Sequence, residues 1–133
     1  MQNSRTLNVQ IHRPIAEVYA YLVNPANLAG WAPVVGGKPV RATGTPVWSF
    51  DGPRGTVLVY FTPLNAHFIL DYKVHMDGGI MMAAYVRLIE NGEGTELVHT
   101  SIQQPGIPDE RFVSEEEWMR NDLLVLKTLL EAR

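Results

Sequence analysis

From Arg5 to His12 apolar and polar residues alternate, with Leu7, Val9 and Ile11 on one side and Thr6, Asn8 and Gln10 on the other. A period of two predicts a half-buried strand. Pro14 suits the start of a helix, where its missing N–H would have had no partner anyway. Ile15, Val18, Tyr19 and Leu22 then keep helical spacing until Asn24-Pro25 breaks it, and a second short helix can run from Pro25 to about Gly30-Trp31. From Val34 the pattern changes to short runs divided by Gly36-Gly37, Thr43-Gly44, Asp51-Gly52-Pro53, Pro63-Leu64-Asn65, Asp77-Gly78-Gly79 and Asn91-Gly92-Glu93-Gly94. Candidate strands lie near Val34–Arg41, Pro46–Phe50, Thr56–Phe61, His67–Met76, Ile80–Ile89 and Thr95–Gln103. Short links between them favour an antiparallel meander. Pro39 and Pro46 fit edges or strand starts.

The C-terminal pattern is helical again. After Pro105 and Pro108, Asp109 can cap a helix running to about Glu131, with Met119, Leu123, Leu126 and Leu130 as its main apolar stripe. At 1.5 Å per residue such a helix is roughly 35 Å long, enough to cross a small domain. Ser114 with Glu117 also matches a capping box, so the helix could start or kink there.

Between these regions, GTELVHTSIQQPGIPDERF resists a simple amphipathic reading. Leu97, His99, Ser101 and Gln103 share one side of an extended chain, and Glu96, Val98, Thr100 and Ile102 share the other. Neither side is cleanly apolar. The preceding runs behave better: Phe68, Leu70, Tyr72, Val74 and Met76 form the stronger core stripe of theirs, opposite His67, Ile69, Asp71, Lys73 and His75. In Ile80–Ile89 both faces are largely apolar, so Tyr85 and Arg87 could point either way.

Composition narrows the class. The chain has 133 residues, 46% hydrophobic and 19% charged, which fits one globular domain over residues 1–133. A net charge of −3 and no Lys/Arg cluster argue against a nucleic-acid surface. The absence of cysteine removes disulfides, thiol catalysis and thiolate metal sites. No basic-then-apolar leader opens the chain, and no apolar run approaches the roughly 20 residues a bilayer span needs, so the expected location is cytoplasmic.

VQIHRPIAEVYAYLVNPANLAGWAP, the GEGTELVHTSIQQPGIPDERF strand-and-turn, and WMRNDLLVLKTLLE together resemble the START-like, or SRPBCC, superfamily in its bacterial polyketide cyclase/dehydrase-like branch. The likeness runs from about Leu7 to Glu131. It implies an α+β helix-grip fold: a curved antiparallel sheet of about seven strands around a long C-terminal helix, with two short helices after the first strand. It further implies a cavity between sheet and helix that takes a small hydrophobic or amphipathic molecule. In the family register Leu97, His99, Ser101 and Gln103 point inward, although the opposite register, with His99 exposed, remains open. Cavity residues on this reading are Trp48, Phe68, Leu70, Tyr72, Tyr85, Arg87, Leu97, His99, Ser101, Gln103, Trp118 and Leu123. Trp31 reads as a structural plug under the second helix. Trp118 divides evenly between core packing and cavity lining.

Chemistry is less legible. His67 and His75 are some 26 Å apart on one extended strand, too far to share a metal ion, and neither a metal nor another cofactor is expected. No serine sits in a nucleophile elbow. Acid–base work remains, with His99 as the candidate catalytic residue, helped by a tyrosine (Tyr72 or Tyr85) or Arg87. Binding of a hydrophobic molecule, in a carrier, sensor or shaping role, is the leading expectation. A cyclase, aromatase or dehydratase is the alternative, and a protein-interaction module of the chaperone-activator type is the third. Relatives often form homodimers, and nothing in these residues decides that point.

Overall fold

The computed structural model describes residues 1–40 and 46–133. The expected Thr43-Gly44 turn and the end of the Val34–Arg41 strand lie outside the described residues. Seven strands form one antiparallel sheet: β1 (Ser4–Ile11), β2 (Val35–Val40), β3 (Val47–Gly52), β4 (Gly55–Phe61), β5 (Tyr72–Met76), β6 (Gly79–Asn91) and β7 (Gly94–Ile102), in the order β1-β7-β6-β5-β4-β3-β2. Strands β2 to β7 are neighbours in chain order, a meander, and β1 closes against β7 with Leu7 opposite His99 and Val9 opposite Leu97. Between β1 and β2 come helix α1 (Ile15–Leu22) and a 3-10 helix (Pro25–Gly30), and α2 (Asp109–Glu131) ends the chain. This is the helix-grip arrangement.

Strand register follows the apolar pattern because a one-residue slip would turn each core set toward solvent. Leu7, Val9 and Ile11 face α2, together with Ala84, Val86 and Leu88 of β6 and Leu97 of β7. From α2 come Met119, Leu123, Leu126 and Leu130, so the predicted stripe is the buried one. Side chains as enclosed as Ile11, Leu97 and Leu126 stabilise by about 1.5–3 kcal/mol each. A second cluster, Leu28, Phe50, Val57 and Val59, sits under the 3-10 helix and contains no residue of α2. Trp31 and Tyr72 border both clusters.

Polar contacts tie α2 to β1, away from the second cluster. Arg5 pairs with Glu116 at 2.6 Å, Lys127 donates to the Gln10 carbonyl at 2.6 Å, and Glu131 accepts from the His12 N–H at 2.8 Å. The helix therefore grips one side of the sheet and leaves a seam where the two clusters meet. At the far edge, Gly37 has φ +123°, and a Cβ there would come within 2.8 Å of the Phe50 ring. Glycine lets the edge strand cross that ring.

Two details differ from the sequence reading. His67–Asp71 is a loop, and β5 begins only at Tyr72. Asn65 makes the difference: its Oδ1 accepts from the N–H groups of His67 and Ile69, its Nδ2 donates to the carbonyls of Pro63 and Ile69, and its backbone N–H donates to the Tyr19 hydroxyl. This local network shapes the loop: Phe68 takes φ +56° inside it, and only an isolated bridge to β6 remains, with the Leu70 N–H donating to the Val86 carbonyl and the Phe68 carbonyl accepting from the Leu88 N–H. The second detail is α2, which runs unbroken from Asp109 without a side-chain cap. Asp109 instead accepts a 2.8 Å bond from Gln103 Nε2.

Candidate functional site

At the seam lies a cavity of about 40 Å³. A water needs roughly 10–15 Å³ on this measure, so the space holds a few waters, and a larger guest must push its walls apart. Leu70, Tyr72, Val86, Leu97 and His99 form the sheet side, Leu123 the α2 side, and Leu22, Val23, Leu28 and Trp31 the side of the short helices. Phe61 and Thr62 complete it at the end of β4, with exposed Asn24 at the rim. Polar groups are few and concentrated.

The central feature is Tyr72–His99. Pairing places Val86 beside His99 and Ala84 beside Tyr72, so β6 lies between the two residues. Alanine at 84 leaves room for the Tyr72 ring to reach across. Its hydroxyl stands 3.1 Å from His99 Nε2, and the rings meet edge to face at 6.0 Å. His99 is only 2% exposed. Burial lowers its pKa from 6.5 to about 4, so it is neutral near pH 7. Burial, and then the charge of Asp122, push the Tyr72 hydroxyl above its ordinary value, so it remains a phenol. Tyr72 is partly exposed as a residue, but its hydroxyl end is enclosed. Asp122, next to Leu123 on α2, is itself raised from 3.8 to about 6 by burial.

Leu70, Tyr72, Leu97, His99 and Leu123 thus come together on the cavity wall. The other sequence candidates lie elsewhere, each for a local reason. Tyr85 and Arg87 alternate with inward Ala84 and Val86, so they occupy the outer face, where Arg87 pairs with Asp71. Trp118 is 47% exposed on α2 and carries the Arg111 guanidinium 4.8 Å from its ring centre. Gln103 is buried but spent on structure, donating to the Ile107 carbonyl and Asp109 and accepting from Asn3. Ser101 keeps the inward register, beyond the cavity between Ala84 and Arg5. Trp48 packs on the second cluster against Phe50, and Phe68 meets Tyr19 edge to face at 5.4 Å.

Trp31, expected as a plug, packs on both clusters and lines the cavity as well. Sequence reasoning missed Asn24, Thr62 and Val86 on the wall, and Asp122 beside Leu123 on α2. The Asn24-Pro25 helix break was a usable signal, since its residue must fold back over the sheet. Asp122 offered only its position beside Leu123 in the apolar stripe. Among the described residues no group of three or more His, Asp or Glu could hold a metal ion, and no helix is long and apolar enough to cross a membrane.

No protein-family model matches the chain, and no curated protein sequence does. Solved structures do. The aromatase/cyclase Zhui from Streptomyces sp. R1128 has a TM-score of 0.76 at 18% identity, over 100% of this chain and 96% of that one. Ara h 8.0201 has a TM-score of 0.77 at 14% identity over 100% of both chains. Protein CV1439 from Chromobacterium violaceum has a TM-score of 0.70 at 21% identity, over 97% of this chain and 98% of that one. Identities this low carry fold and leave function to the site. By fold, the chain is a helix-grip protein, as these neighbours are.

Proposed function

We propose that the protein binds a small, largely apolar molecule in the cavity between sheet and α2, anchoring its polar end at Tyr72 and His99. The observation that carries this reading is a buried tyrosine–histidine pair on an otherwise mostly apolar wall. A core that served stability alone would gain more from apolar groups of the same shape than from a polar pair it must satisfy. Leu22, Val23, Leu28 and Trp31 are the walls that give way when a guest larger than a few waters enters. Carrier, sensor and shaping roles all use such a pocket.

The same pair supports a second reading, acid–base catalysis of the aromatase or cyclase kind. Tyr72 would polarise a guest carbonyl and His99 would move a proton. A histidine whose pKa lies near 4 is a weak base at neutral pH, which favours anchoring over turnover.

Native mass spectrometry of protein purified from its own cells tests the binding reading, alongside titration with the neutral fluorescent reporter N-phenyl-1-naphthylamine. Binding of the reporter, and its loss in Val86→Phe, which fills the cavity from β6, are expected. A reporter that binds the folded variant as tightly as the parent places the guest elsewhere and overturns the proposal. Loss of turnover with retained affinity in His99→Ala would establish the catalytic reading.

A further inference from the structure

Three walls enclose the cavity, and they are not held equally. α2 is tied to β1 by the Arg5–Glu116 pair and by its bonds to the Gln10 carbonyl and the His12 N–H. The end of β4 and the loop after it are bonded on several sides. There the Thr62 N–H and hydroxyl donate to the Asp71 carbonyl, the Leu70 N–H to the Val86 carbonyl, and the Asn65 N–H to the Tyr19 hydroxyl of α1. The third wall is the segment from Asn24 to Ala32, which contains the 3-10 helix and carries Leu28 and Trp31 over the cavity.

Among the described residues, the hydrogen bonds that tie this segment to another element all join Asn27 to Tyr21 of α1. Asn27 Nδ2 donates to the Tyr21 carbonyl at 2.8 Å, and the Tyr21 hydroxyl donates to the Asn27 carbonyl at 3.4 Å. Both residues face away from the cavity, into an outer groove that they share with Leu130 and Arg133. Gly30 completes the fit against α1: a Cβ there would stand 2.6 Å from the Tyr21 hydroxyl. Toward the cavity the segment is held by apolar contact. Leu28, 8% exposed, packs with Phe50, Val57 and Val59, and Trp31 rests on both core clusters. Apolar contact is non-directional, so this side can part and close again without a bond being broken.

We infer that the segment from Asn24 to Ala32 is a lid: the guest enters and leaves beneath Leu28 and Trp31, and the Asn27–Tyr21 bonds are the clasp that sets how often the lid opens. The inference rests on the binding proposal and adds the route of access to that site. Asn27 touches the lid and not the guest, so weakening the clasp favours opening equally with the cavity empty or filled. A change that does not distinguish the two states leaves their equilibrium where it was. Entry and release quicken together, and affinity is unaltered.

Stopped-flow mixing of the whole protein with N-phenyl-1-naphthylamine gives both rates, and their ratio gives Kd. Asn27→Ala, which removes the clasp amide, should raise association and dissociation about fivefold each with Kd unchanged. Gly30→Ala, which pushes the lid off the Tyr21 hydroxyl, should also raise both. Tyr19→Phe removes the acceptor that ties the β4–β5 loop to α1 and should leave both rates as in the parent. Parental rates in Asn27→Ala and Gly30→Ala overturn the lid and leave the binding proposal standing. Equal quickening in Tyr19→Phe also overturns it, because the guest would then pass the opposite rim or a generally loosened fold. A shift of Kd in Asn27→Ala, with the two rates no longer moving together, overturns the clasp. A parent protein that does not bind the reporter overturns the binding proposal and this inference with it.

Discussion

At the scale of single residues, His99 and Asp122 act on stability in opposite directions. His99 stays neutral in the fold down to about pH 4 but takes up a proton near 6.5 when unfolded. Between those values the unfolded chain binds more protons, so stability falls as pH drops, by about 3 kcal/mol over the window. Asp122 binds its proton at about 6 folded and 3.8 unfolded, so the native state gains as pH drops through that range. Its partial exposure reduces this gain to about 1 kcal/mol. Asp122→Asn should therefore raise Tm near neutral pH, with the advantage fading toward pH 4. A parallel offset at every pH, read by thermal melts across the range, would show that its carboxyl titrates normally. Tyr72 and His99 were both legible as inward residues from alternation once the family register was adopted. Their mutual contact was not legible, because it depends on a small residue, Ala84, in the strand between them.

At the scale of elements, the loop between β4 and β5 shows where periodicity fails. Alternation through Phe68, Leu70, Tyr72 and Val74 is genuine, yet Asn65 captures two backbone N–H groups and gives the first half of that run a loop conformation. Sequence spacing counts side chains and is blind to a single amide that competes for main-chain donors. Asn65→Ala should destabilise by about 2–3 kcal/mol, because the N–H groups of His67 and Ile69 lose their acceptor. Hydrogen exchange should quicken at those two amides first; unchanged protection there would mean the loop is held by Phe68 and Tyr19 instead. Gln103 and Asp109 teach the same lesson at the start of α2, where an expected cap became the acceptor for a strand-end amide.

At the scale of the molecule, α2 is tied to β1 and leaves the seam beside it incompletely filled, which makes Leu123 both core and cavity wall. Leu123→Ala should cost about 2–5 kcal/mol through lost burial and an enlarged void. The same change should tighten binding of the bulkier N-phenyl-1-naphthylamine relative to decanol; loss of stability without that gain would make the space structural. By itself the sequence determined the order of elements, the antiparallel meander, the buried stripe of α2 and the inward set of β1. Each of these depends on period, turn residues and chain length, which are local. Tertiary structure alone decided that Tyr85, Arg87 and Trp118 face away, that Gln103 is consumed at a turn, and that Asn24 and Thr62 line a pocket with Tyr72 and His99. Those outcomes depend on which face of each element meets another element and on which donors are already taken, and such facts exist only once residues distant in the chain are in contact.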